Sequence, residues 1–197
     1  MAKQRAHQNR RHFWGKSIVK LAQPLWLALA FCALSLVWTS TAAAENLIKQ
    51  PGAHNKYAFE LEPHLYIRYG GYWGASWGSG AGIGPGIRAS IPFMHNGPIK
   101  SINNNIGISF GLDVPFYFDG GLAFDIPVAF QWNFYFTKII SVMGEAGLLS
   151  SIWTGQGHTG FYAFPIIQGA GRFQFGKLGV VVRIGYPSTT VGANFQF

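Results

Sequence analysis

The chain has 197 residues, of which 49% are apolar, 16% aromatic and only 11% charged, and its formal charge is +8. These fractions exclude a disordered tail, a collagen-like fibre and a disulfide framework. Six of the 15 Lys and Arg (Lys3, Arg5, Arg10, Arg11, Lys16, Lys20) fall in the first twenty residues, so nine bases face all seven acids afterwards, which excludes a nucleic-acid footprint.

The basic start is followed by the apolar run from Leu25 to Trp38 and by the small residues Ser40-Thr41-Ala42-Ala43-Ala44 before Glu45. A positive region, an apolar core and an A-x-A site in that order read as a cleaved secretory signal peptide over residues 1–44. A retained membrane anchor is the alternative, but the apolar run of about 14 residues is short of the roughly 20 that a spanning helix needs. Arg10-Arg11-His12-Phe13 has the look of a twin-arginine export signal, although adjacent arginines are common in a basic signal region. Cys32 lies within an apolar core that continues through Ala33-Leu34-Ser35-Leu36, which argues against lipidation there. It is the single cysteine, so the sequence beyond the signal offers no disulfide, thiol nucleophile or thiolate metal site. Residues 45–56 read as a periplasmic N-terminal segment and residues 57–197 as the folded unit.

From Tyr57 onward the apolar side chains repeat with period two between Gly-, Asn- and Pro-rich breaks, which is the signature of strands. The first strand sets Phe59, Leu61, Leu65, Ile67 and Tyr69 against Glu60, Glu62, His64 and Arg68; the second sets Ile83, Ile87, Ala89, Ile91 and Phe93 against Gly84, Gly86, Arg88 and Ser90. The third places Ile106, Ile108, Phe110, Leu112, Val114 and Phe116 opposite Asn105, Ser109 and Asp113, and the fourth runs from Leu122 to Phe136 opposite Asp125, Gln131 and Asn133. Weaker alternation predicts four more, with Ser141 and Glu145, then Gln168, Arg172 and Gln174, then Arg183, then Gly192, Asn194 and Gln196 on the polar faces. No helical period follows residue 45.

Eight alternating strands predict an all-β fold, an antiparallel up-and-down transmembrane β-barrel. Thr137-Lys138 and Gly176-Lys177 read as tight turns, Gly70 to Gly82 and Trp153 to Gly160 as looser loops, and such an asymmetry of joins belongs to membrane barrels. Sixteen charged residues in the 153 after the signal amount to roughly 10%, against about 25–35% on a soluble surface. Aromatic residues at the strand ends, among them Tyr57, Tyr69, Phe93, Phe116, Phe136, Trp153, Phe161, Phe175 and Phe197, fit two interfacial belts. Pro63, Pro85, Pro92, Pro115, Pro127 and Pro165 fall inside predicted strands and oppose a regular ladder, since each removes one backbone donor.

The last eight residues run Thr190-Val191-Gly192-Ala193-Asn194-Phe195-Gln196-Phe197. With Thr190, Gly192, Phe195 and Phe197 in the defining places, the ending resembles the signature by which the assembly machinery recognises outer-membrane barrels. Together with the strand count, the chain from residue 45 onward resembles the small eight-stranded outer-membrane barrels typified by the transmembrane domain of outer-membrane protein A. That resemblance implies residence in the outer membrane among phospholipid and lipopolysaccharide, assembly by the barrel-assembly machinery and a periplasmic N-terminus. It implies no activity.

Polar faces turned inward would gather Glu60, Glu62, Asp113, Asp125 and Glu145 with Arg68, Arg88, Arg172, Arg183 and His64. Eight strands leave an interior just wide enough for side chains to fill, so a plugging network of ion pairs is expected, giving a structural or surface-contact protein. A narrow pore or small-ligand channel, with Glu60, Glu62 and Arg88 at its entrance, is the alternative. A lipid A-modifying enzyme is the third reading, because two small-barrel families carry such activities. The deacylase pattern H-x-S is missing, however, and His158, Asp119 and Ser188 have no spacing that assembles the palmitoyl-transfer set. No catalysis, cofactor or metal is expected. The Gly-rich loop containing Tyr72, Trp73 and Trp77 is the candidate contact for a surface protein or glycan.

Overall fold

The computed structural model describes residues 46–69, 81–118, 120–155 and 157–197. The predicted signal peptide and the residues Tyr72, Trp73 and Trp77 lie outside them. Nine strand segments follow in order: β1 (Glu60–Tyr69), β2 (Ala81–Met94), β3 (Asn104–Asp113), β4 (Phe116–Tyr117), β5 (Leu122–Tyr135), β6 (Ile140–Gly155), β7 (His158–Phe175), β8 (Leu178–Tyr186) and β9 (Ser188–Gln196). Every pairing is antiparallel, and β1 closes the sheet by pairing with both β2 and β9. β4 continues β3 beyond Val114-Pro115 and pairs with the same two neighbours, β2 and β5. The nine segments are therefore the eight staves of a closed up-and-down barrel.

The period-two pattern resolves into an inside and an outside, and the polar side is inside. Asp113, Asp125 and Arg183 are 0% exposed, whereas Phe130 is 65%, Ile184 64% and Ile167 67% exposed on the outer surface. Val, Ile, Leu and Phe suit the pleated outer face by shape as well as by polarity.

The prolines are absorbed in three ways. Pro92 sits at a register shift in the β2–β3 ladder, where a bulge takes up the lost donor. Pro115 falls in the interruption that separates β3 from β4. Pro63, Pro85, Pro127 and Pro165 stay within paired ladders, opposite Ile87, Leu65, Leu149 and Leu148, and each forfeits one donor there.

The joins differ from the sequence expectation. Trp153 to Gly160 is not a loop: β6 and β7 remain paired through Trp153↔Gly160, Thr154↔Thr159 and Gly155↔His158. The β-branched threonines extend the ladder, and Gly157, at φ +79°, takes the left-handed turn conformation. At the opposite end, where tight turns were expected, residues 95–103 form the connection between β2 and β3. Join length therefore does not distinguish the two ends.

Candidate functional site: the lumen and its terminal mouth

Strand alternation brings all ten predicted interior residues into the lumen, where they divide into three levels. Nearest the end that bears the 118–121 join, Arg68 Nη1 donates to Asp125 Oδ2 at 2.6 Å, and Tyr66 Oη donates to the same oxygen at 2.9 Å. The Arg68 guanidinium also lies 4.9 Å from the centre of the Phe164 ring, a cation–π contact.

At mid-height the ion pairs form one chain across the barrel. Arg183 donates through Nη1 to Glu62 and through Nε to Glu145 Oε1 at 3.1 Å. Arg88 donates to Glu145 Oε2 at 2.9 Å and stands 3.8 Å from Asp113 Oδ2. His64 completes the chain, with Nε2 2.7 Å from Asp113 Oδ1 and Nδ1 3.1 Å from the Glu62 carbonyl. Both ring nitrogens thus face acceptors. At the third level Arg172 Nη2 donates to Glu60 Oε1 at 2.7 Å, and Gln196 Nε2 donates to Glu60 Oε2 at 3.2 Å.

Charges drawn from water this completely persist only when paired and hydrogen-bonded, and most of the network meets that condition. Glu62 Oε2, Asp113 Oδ2, Asp125 Oδ1, Arg88 Nε and Thr190 Oγ1 have no hydrogen-bond partner among the described residues.

The mouth beside the chain terminus is filled by residues that the sequence reading treated as a separate segment. Leu47 N donates to the Phe136 carbonyl at 2.7 Å, and Asn103 N donates to the Ile48 carbonyl at 2.7 Å. His54 stacks on Tyr135 with ring centres 4.1 Å apart and planes 5° from parallel. Its Nδ1 lies 2.5 Å from Asn103 Oδ1. Burial holds the His54 ring below its ordinary pKa; the Asn103 bond opposes this, and nearby His95 and Lys56 reinforce it. Tyr57, expected in an interfacial belt, is instead buried in this mouth because the chain turns inward before β1. The 56/57 boundary therefore falls within a docked stretch that runs to Phe59, where backbone bonds to Phe197 lead into the barrel wall.

Of the C-terminal set, Thr190 is buried in the lumen and Gly192 packs against β1, while Phe195 and Phe197 point outward, 39% and 63% exposed. His158 is exposed where β7 begins, Ser188 is buried with its hydroxyl accepting from Gln168 Nε2 at 3.0 Å, and Asp119 is not among the described residues. Sequence reasoning missed the apolar interior cluster of Leu149, Phe164 and Ile166. Parity was the available signal, since Phe164 and Ile166 share the even-numbered face of Gln168, Arg172 and Gln174.

No protein-family model matches the chain, and no curated protein matches it significantly. Solved structures of Ail, the attachment invasion locus protein of Yersinia pestis, are similar to it. One is 11% identical, covers 73% of this chain and 100% of its own, and has a TM-score of 0.47. Another, in complex with the heparin analogue sucrose octasulfate, is 12% identical, covers 71% and 96%, and has a TM-score of 0.44. The backbone structure in a phospholipid bilayer nanodisc is 12% identical, covers 72% and 100%, and has a TM-score of 0.42.

Proposed function

We propose that this chain is a bacterial outer-membrane barrel with a structural or surface-contact role in the envelope, its lumen plugged by ion pairs. The observation that carries the reading is the inverted surface, with charge buried inside the staves and Phe, Ile, Leu and Val exposed around them. In water such an exterior would form one continuous adhesive patch, whereas a bilayer covers it. The signal-like N-terminus supports export, and the ending Thr190, Gly192, Phe195 and Phe197 supports recognition by the barrel-assembly machinery. Phospholipid and lipopolysaccharide are then its neighbours, and the loop with Tyr72, Trp73 and Trp77 is the segment offered to a surface protein or glycan. Catalysis has no part in this reading: His64 is committed to Asp113 and the Glu62 carbonyl, and His54 to Asn103 and Tyr135.

Fractionation of cells producing the full chain tests it directly. The protein is expected with the outer membrane, and its mobility in a denaturing gel is expected to change on heating. A soluble periplasmic pool whose mobility ignores heat would reject the reading.

A further inference from the structure

Beyond the signal region the chain has five lysines, Lys49, Lys56, Lys100, Lys138 and Lys177, and all five belong to the same end of the barrel. Lys49 and Lys56 lie on the segment docked into the terminal mouth, Lys100 in the 95–103 connection, Lys138 in the β5–β6 turn and Lys177 in the β7–β8 turn. Each is exposed. The four arginines beyond the signal, by contrast, are all spent inside the lumen. Residues 46–59, 95–103, 136–139 and 176–177 contain no Asp or Glu, so the side chains of this rim carry charge of one sign. The joins of the other end, 70–80, 118–121, 156–157 and 187, contain no Lys or Arg and a single acid, Asp119.

The lysines also border the apolar exterior. Exposed Phe136 lies two residues before Lys138, exposed Phe175 two before Lys177, and exposed Ile99 immediately before Lys100. A long apolar stem with an ammonium head suits the level where acyl chains give way to headgroups.

From the confinement of all five lysines among the described residues to this rim without Asp or Glu, with Lys100, Lys138 and Lys177 beside the greasy wall, we propose that the terminal end is a docking surface for the phosphate headgroups of acidic phospholipids in the leaflet it enters. The inference rests on the membrane reading above and deepens it by naming the lipid class at one end. Charge complementarity selects the occupant: ammonium groups at the edge of an apolar band, with two more on the docked segment, meet lipid phosphates without leaving the bilayer surface. The opposite end offers no such cations, so the preference belongs to one leaflet.

Electron spin resonance of the protein in phosphatidylcholine vesicles, using trace spin-labelled phosphatidylglycerol or phosphatidylcholine, measures which lipid is held in the motionally restricted shell. The expected result is a preference of about threefold for the labelled phosphatidylglycerol at low salt, weakened by added salt. Replacing all five lysines by Gln is expected to abolish it. The pair K138Q and K177Q, confined to two turns, is expected to lower the preference even where the fivefold variant does not fold. An equal preference in wild type and variants, or none in the wild type, overturns the inference while leaving the barrel in its bilayer. Stronger retention of spin-labelled lipid A than of phosphatidylglycerol overturns the assigned occupant. Absence of any restricted component overturns the membrane reading itself.

Discussion

Arg183 holds two carboxylates together, Glu62 and Glu145, and it does so with no exposure to solvent. Arg183→Met keeps the bulk but removes the cation, leaving Glu62 buried without its guanidinium partner. We expect a loss of about 3–5 kcal/mol, read as a lower urea midpoint in lipid vesicles, because removing one member of a buried pair strands the other. Adding Glu62→Gln should restore part of that loss, since an amide is cheaper to bury than an unpaired carboxylate. Gly192 poses a different residue-scale question, because it belongs to the assembly-signal resemblance and also to the packing of β9 on β1. A Cβ there would stand 2.7 Å from the Pro63 carbonyl oxygen and 2.6 Å from His64 Cβ, closer than real contacts allow. Gly192→Ala should therefore destabilise the purified protein refolded in detergent, with no assembly machinery present. Normal refolding in vitro, with a defect confined to cells, would assign this glycine to recognition instead.

The element that the sequence concealed most completely is the segment 46–59. Its residues have no alternation to betray a strand, and its burial depends on partners far along the chain, the Phe136 carbonyl, Asn103 and Tyr135. The staves were legible because alternation sets Glu60, Arg88 and Asp125 on the polar face of their strands, and the sparse charge of the chain, too little to cover a soluble surface, turns that face inward. Which acid meets which base was not legible, since Glu60 and Arg172 are brought together by stagger around the barrel and not by sequence spacing. The docked segment also makes a pH prediction. His54 has a lowered pKa when docked, so the docked state binds fewer protons than the released one and docking strengthens as pH rises. Acidification below about 6.5 should progressively release residues 46–59 and level off beneath the lowered value. Hydrogen exchange at the Leu47 and Asn103 amides would report it as protection factors, taken against the intrinsic rate at each pH, that fall at acid pH. His54→Phe, which retains an aromatic face for Tyr135, should flatten that dependence; an unchanged pH profile in this variant would place the sensitivity elsewhere.

At the scale of the whole molecule the question is whether a barrel so full of charge conducts. Two observations point in opposite directions. Polar atoms such as Asp113 Oδ2, Asp125 Oδ1 and Arg88 Nε lack partners among the described residues, which is how the wall of a wet passage is built. Yet the guanidiniums of Arg68, Arg88, Arg172 and Arg183 all reach across the lumen to carboxylates on other staves. A permeating ion would have to separate at least one of these pairs, and in the mouth beyond them His54 and Tyr135 stand in stacked contact. The atoms without partners form no continuous polar file, because the cross-strand bridges separate them at every level. Planar-bilayer recording of the full chain should accordingly show no steady conductance. Deleting residues 46–56 should also leave it silent, because the Glu60–Arg172 pair and the central chain through Arg183 and Arg88 remain. Steady openings in the intact protein would mean that the ion pairs line a passage instead of blocking it, and the narrow-pore reading would then replace the plugged barrel.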